Sequence, residues 1–200
     1  MRIIAGEFKG HSIDAGEDTR PTADFVRQAL FSMLGGMIDG TFLDLYAGSG
    51  AVGLEARSRG ASAIFVEREP SALKAIRANV DRLDIKSGIT MVNCDVLKFL
   101  KSPEAGRPPI EPRPVTYVFA DPPYDYALND KLLRLLAATP LVGPETLVIF
   151  ERRSRTRFKP PDGLELLRET QHGEAKLAFL RRSSSPSDAG AEPAEPAPSE

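Results

Sequence analysis

The chain has 200 residues, 42% of them hydrophobic and 27% charged, which suits one domain with a buried core and excludes a fibrous or largely disordered chain. No stretch approaches a membrane-spanning apolar run, and the opening MRIIAGEFKG lacks the apolar centre of a signal peptide, so neither a span nor secretion is expected. A lone cysteine, Cys94, excludes a disulfide framework; with only His11 and His172 beside it no metal cluster is expected, and a cytoplasmic setting fits.

Residues 2–14, RIIAGEFKGHSID, alternate weakly among glycines and predict a small N-terminal β-hairpin extension covering residues 1–18. TRPT (19–22) marks a turn. A helix follows to Met33, with Thr22 as its N-cap and Val26, Ala29, Leu30, Met33 and Leu34 on one face. From residue 41 strands and helices alternate. The strands are TFLDLY (41–46), SAIFVE (62–67), ITMVNC (89–94), VTYVFA (115–120) and TLVIFE (146–151), with helices near 51–59, 70–83 and 128–138. This alternation predicts an α/β fold with a mostly parallel sheet covered on both faces. SPEAGRPPIEPRP (102–114) reads as a proline-rich surface loop. LELLRE and KLAFLRR (176–182), joined through TQHGEA, predict a closing antiparallel hairpin. Residues 183–200 carry four acids, no Lys or Arg and no large apolar residue, and predict a disordered tail after a single domain of residues 1–182. Without that tail 26 basic residues face 24 acidic ones, so the net charge of −2 becomes about +2, which permits a nucleic-acid partner without requiring one.

Three stretches carry chemistry. DLYAGSGAVG (44–53) follows a strand and opens a helix, with Gly48, Gly50 and Gly53 spaced to let a ligand approach the backbone. Glu67 ends the next strand, 19 residues past Gly48, either as a solvated strand-end acid or as an acceptor for ribose hydroxyls. Such a set serves NAD or S-adenosylmethionine. Asp44 favours the second, because an acid before the turn would repel a pyrophosphate and attract the cationic amino group of a methionine moiety. Asp95, after the third strand, is a helix N-cap or an acceptor for an adenine amine. The third stretch is DPPY (121–124) at the end of the fourth strand, where ligands of open α/β sheets bind. The Asp121 carboxylate and the Pro122 carbonyl can accept both hydrogens of one exocyclic amine, and Tyr124 offers a stacking face for a base.

With these motifs, RIIAGEFKG, TRPTADFVRQALFSML (19–34) and FVERE (65–69), the chain resembles the RsmD family of 16S rRNA guanine-N2 methyltransferases over roughly residues 2–182. The resemblance implies a Rossmann-like, seven-stranded methyltransferase sheet. It implies that Asp44, Ala47, Gly48, Ser49, Gly50, Glu67, Arg68, Asp95 and Val96 line S-adenosylmethionine, that Asp121, Pro122 and Tyr124 hold the guanine amine, and that Arg20 and Thr22 stand near the rim. The family usually has glycine where this chain has Ala5, arginines at Lys9 and His11, and a basic residue at Phe25. ERRSRTRFK (151–159) is a solvated loop or a phosphate-contacting patch, in which Arg152 and Arg153 join Lys9 as expected RNA contacts.

The function expected is methyl transfer to guanine N2 in 16S rRNA, by a monomer that meets its substrate in a 30S particle or late assembly intermediate. Adenine N6 and protein glutamine are the alternative acceptors, although enzymes of that kind more often carry Asn-Pro-Pro-Tyr. An NAD-dependent oxidoreductase leaves DPPY unexplained, and a non-catalytic assembly factor leaves the acceptor motif without a role.

Overall fold

The computed structural model describes residues 1–14, 21–106, 108–123, 126–153 and 158–183. The elements are α1 (Pro21–Met33), β1 (Thr41–Leu45), α2 (Ala51–Ser58), β2 (Ser62–Glu67), α3 (Pro70–Arg82), β3 (Ile89–Asn93), α4 (Val96–Lys101), β4 (Tyr117–Ala120), α5 (Tyr126–Ala138), β5 (Leu147–Arg153), β6 (Leu164–His172) and β7 (Ala175–Arg182). They build one seven-stranded sheet of order β3-β2-β1-β4-β5-β7-β6. Strands β1 to β5 pair in parallel, and β7 runs antiparallel between β5 and β6.

Alternation along the strands decides what each face buries. Leu43, Leu45, Val66, Val118, Ala120, Val148 and Phe150 face one way and pack with Phe99, Leu100, Leu132 and Leu136 of α4 and α5. On the opposite face Phe42, Phe119 and Ile149 meet Val26, Leu30 and Phe31 of α1, while Phe65 meets Leu54 and Ile76 of α2 and α3. A strand covered on both faces has to be apolar nearly throughout, so the buried Asp44 stands out in TFLDL. The chain runs outward from β1 to β2 and β3, then returns to place β4 on the other side of β1. That reversal is the switch point at which open α/β sheets leave a crevice beyond the strands' carboxyl ends.

Among the described residues the expected N-terminal β-hairpin reduces to a loop closed by one antiparallel bridge, Arg2 to Ser12; residues 15–18 of the expected extension lie outside them. Three backbone hydrogen bonds tie it (Ile3 N–H to His11 O, 3.0 Å; Gly10 N–H to Ile3 O, 2.9 Å; Ile13 N–H to Met1 O, 3.0 Å). Ile3, Phe8 and Ile13 pack this segment into the core, Ser58 bonds its backbone, and a buried charge cluster anchors it further. The Glu55 carboxylate of α2 accepts from the N–H groups of Ile4 (2.8 Å) and Ala5 (3.1 Å) and from Arg59 Nε (2.8 Å). Arg27 of α1 lies 3.8 Å from the same carboxylate and donates to Arg2 O (2.7 Å) and Asp24 (2.9 Å).

Four further expectations need correction or refinement. Helix α1 already includes Pro21, so Thr22 lies in its first turn and is not its N-cap. Proline at the first position suits a helix start, because its missing N–H would have no partner there. Strand β4 begins at Tyr117 rather than Val115. The stretch after Asp95 forms the short helix α4, and the proline-rich loop opens with a 3-10 turn at Pro103–Ala105.

Candidate active site

The register of the sheet collects four acids. Asp44 pairs with Phe119 in β4 and with Phe65 in β2, so Asp121 and Glu67, each two residues on, share its face of the sheet. Phe119 pairs with Ile149 in β5, so Glu151 falls on that face too, in register with Asp121. All four lie toward the carboxyl ends of β2, β1, β4 and β5, around the switch point.

Asp44 is 2% exposed, and its Oδ2 accepts from Gly53 N–H at 2.9 Å. Burial pushes its carboxyl up to about 8; the Gly53 bond opposes this, and the charges of Asp121 and Glu67 add to it. Glu151 is likewise pushed up to about 8, by burial first and by Asp121 second. Asp121 itself is exposed and Pro122 is buried, so the rim opens on the carboxylate.

The glycines have separate tasks. Gly48 takes φ 53°, and a Cβ there would meet nothing within 4 Å, so the loop leaves open space on that side. Gly53 lets α2 pack closely, since a Cβ would come within 2.8 Å of Phe65 Cζ and 3.0 Å of Asp44 Oδ2. The loop is braced from two directions. Glu67 Oε2 accepts from Gly48 N–H (3.0 Å), while Oε1 accepts from Arg68 N–H (2.8 Å) and Glu69 N–H (3.0 Å). The buried Asn79 of α3 donates to Ser49 O (3.2 Å) and Asp14 O (2.7 Å). A carboxylate offers about four acceptor positions. Glu67 therefore keeps about one for a ligand hydroxyl, not the two that were expected.

The other expected residues divide. Ala47 and Ser49 lie half-buried in the loop. Asp95 is the N-cap of α4, accepting from Lys98 N–H at 3.0 Å, as its simpler reading had it. Val96 corrects an expectation: its side chain is buried in the core, so only its backbone can face a ligand. Arg68 is exposed and paired with Glu69. Arg152 is a second correction. It is 5% exposed, ion-paired with Glu169 and set over the Phe158 ring at 5.0 Å, so it cannot greet a phosphate. Arg153 and Lys9 are exposed. Arg20 and Tyr124, like Arg155, Arg157 and residues 184–200, lie outside the described residues, as does the Thr22 side chain.

Sequence reasoning passes over three residues: Asn79, Glu151 and Tyr46. Tyr46 adopts φ 59°, rare for a side-chain-bearing residue, and its phenol oxygen is buried with no partner among the described residues. Burial and the charge of Asp95 push that phenol up to about 12. The available signals were an aromatic between a strand-end acid and a glycine loop, and a third apolar strand ending on an acid. Elsewhere, a groove of about 650 Å³ lined by Met1, Arg2, Asp24, Phe25 and Gln28 shares no residue with this site.

Acceptor positions on Asp44 and Glu67 that no described residue fills, open space beside Gly48 and a phenol without a partner among the described residues suit a ligand with a cationic amine and a ribose. The mostly parallel sheet, its switch point and this loop define the Rossmann-like fold class of S-adenosylmethionine-dependent methyltransferases. The chain belongs to the family described as conserved hypothetical protein 95, the RsmD family, which matches residues 1–181. It is 32% identical over 188 residues to ribosomal RNA small subunit methyltransferase D of Escherichia coli K12, covering 91% of this chain and 90% of that one. Among solved structures, a hypothetical protein of Thermus thermophilus, TTHA0928, matches with TM-score 0.73 and 31% identity, over 90% of this chain and 99% of that one. The T. thermophilus 16S rRNA N2 G1207 methyltransferase RsmC, in complex with AdoMet and guanosine, shares the fold at TM-score 0.65 and 17% identity, over 86% of this chain and 45% of that one.

Proposed function

We propose that this protein transfers a methyl group from S-adenosylmethionine to the exocyclic N2 amine of a guanine in small-subunit rRNA. The observation that carries the reading is the placement of Asp121 and Pro122 beside Asp44 and Glu67 at the switch point of the sheet. The names of the relatives support rRNA as the substrate class.

In this reading Glu67 accepts a ribose hydroxyl, Asp44 faces the amino group of the methionine moiety, and the Ala47–Gly50 loop lies against the ligand. Asp95 and the start of α4 border the adenine. When bound, S-adenosylmethionine supplies a methyl group on a cationic sulfur. The Asp121 carboxylate and the Pro122 carbonyl each accept one amine hydrogen and so keep the nitrogen lone pair aimed at that methyl; the contribution is positioning. Tyr124 supplies the ring on which the base stacks. Residues 1–182 act as one methyltransferase domain. The modest charge of the body limits its hold on flexible naked RNA, so a preformed surface is the proposed substrate: a 30S particle or late assembly intermediate, met by a monomer through Lys9, Arg153 and Lys159.

The test is transfer of labelled methyl to 30S particles lacking the modification and to protein-free 16S rRNA, followed by nucleoside analysis. N2-methylguanine, formed chiefly on the particle, is the expected product. Asp121→Ala should abolish turnover and Asp121→Asn retain part of it, both with cofactor binding intact. Methyl on adenine N6 or on protein overturns the guanine reading, and equal transfer to naked RNA overturns the preformed surface.

A further inference from the structure

We propose that Glu151 makes the acceptor site selective for guanine, its carboxyl accepting the ring N1–H beside the amine held by Asp121 and Pro122; this rests on the amine-methyltransferase reading above. The β4–β5 ladder ends on Ala120 opposite Phe150, so the next residues on these parallel strands, Asp121 and Glu151, continue side by side on the same face. A planar base whose amine meets Asp121 and Pro122 extends its ring edge toward one of the strands flanking β4. On the β1 side Asp44 is 2% exposed and tied to Gly53. On the β5 side stands Glu151.

Glu151 also has no internal task among the described residues. It ends the apolar run Val148–Phe150, it is partly buried, and no donor of those residues meets its carboxyl oxygens. Two cations close by in the ladder serve another acid instead: Arg152 and Lys176 both bind Glu169. A partly buried acid that no donor of the described residues meets is costly in a purely structural role. Burial first and the charge of Asp121 second push its carboxyl up to about 8.

Guanine presents its N2 amine and N1–H side by side, all donors. Adenine presents an amine beside a bare N1 lone pair. The guanine N1–H favours the ionised carboxyl by donating to it, and an ionised carboxyl at the N1 position attracts the first edge and repels the second. A site built to receive a hydrogen bond rejects an analogue that cannot make it, because the buried group is left unpaired.

The experiment compares RNA carrying guanine or 2-aminopurine at the methylated position, assayed at a pH above about 8 so that the carboxyl is ionised. 2-Aminopurine keeps the amine but has a lone pair at N1. The wild type should prefer guanine in kcat/KM by about tenfold or more. Glu151→Gln, whose amide can donate to that lone pair, should bring the ratio to near parity or invert it, with S-adenosylmethionine affinity kept and the thermal midpoint not lowered. Glu151→Asp should give an intermediate ratio and serves if the first variant folds poorly. A Glu151→Gln ratio within about twofold of wild type overturns the assignment. Failure of the wild type to methylate any guanine-bearing RNA overturns the underlying reading, a separate and distinguishable result.

Discussion

Replacing Glu55 by alanine tests how the N-terminal segment is held. The carboxylate is fully buried and accepts from Ile4, Ala5 and Arg59 at 2.8–3.1 Å, with Arg27 Nη1 3.8 Å away. In Glu55→Ala two buried guanidiniums lose a common counter-charge. Neither loses every partner: Arg27 keeps Asp24 and Arg2 O, and Arg59 keeps Gly36 O at 2.8 Å. Breaking a buried ion pair from one side costs about 3–5 kcal/mol. The Ile4 and Ala5 N–H groups are only partly buried, so water replaces much of what they lose, and the sum stays at about 4 kcal/mol. For a chain of this size that lowers Tm by about 8–16 °C. The chain has no tryptophan, so far-UV circular dichroism through a urea titration is the suitable assay. Glu55→Gln keeps an acceptor oxygen while losing the charge, and should cost about half as much. A loss below about 1 kcal/mol for Glu55→Ala, typical of an exposed pair, would refute the claim that this cluster anchors the segment.

Two further outcomes follow from the site. Glu67→Ala removes the acceptor proposed for a ribose hydroxyl together with the brace on Gly48 N–H, and should weaken S-adenosylmethionine binding by about tenfold or more in calorimetry; unchanged affinity in a folded variant would remove Glu67 from the site. The Asp44 carboxyl, pushed up to about 8 when folded from an ordinary value near 3.8, makes the folded state the tighter proton binder between those limits. Its stabilising contribution is complete below the unfolded value and is lost as pH rises through the folded one. Asp44→Asn has no such proton to lose, so unfolding free energies from urea titrations should shift in favour of the variant by about 1 kcal/mol or more between pH 5 and pH 8; a pH-independent difference would refute the buried, protonated carboxyl.

Much of the site is legible along the chain because its members interrupt local patterns. Asp44 breaks an apolar strand, Glu67 and Asp121 end two others, and Gly48, Gly50 and Gly53 stand where strand becomes helix. The alternation of strand and helix likewise announces the parallel sheet, since apolar periodicity is a property of neighbouring residues. What stays illegible depends on pairing across long separations. Strand order and register put Asp44, Glu67, Asp121 and Glu151 on one face, and no single strand records that. Arg152 reads as one cation in a basic surface run because its partner, Glu169, lies on a different strand. Glu55 and Arg59 read as an ordinary exposed pair one turn apart on a helix, until α1 and the N-terminal segment close over them. A charged residue looks the same in sequence whether it meets water or a buried counter-charge. Only the packing of distant segments decides which, by removing the water.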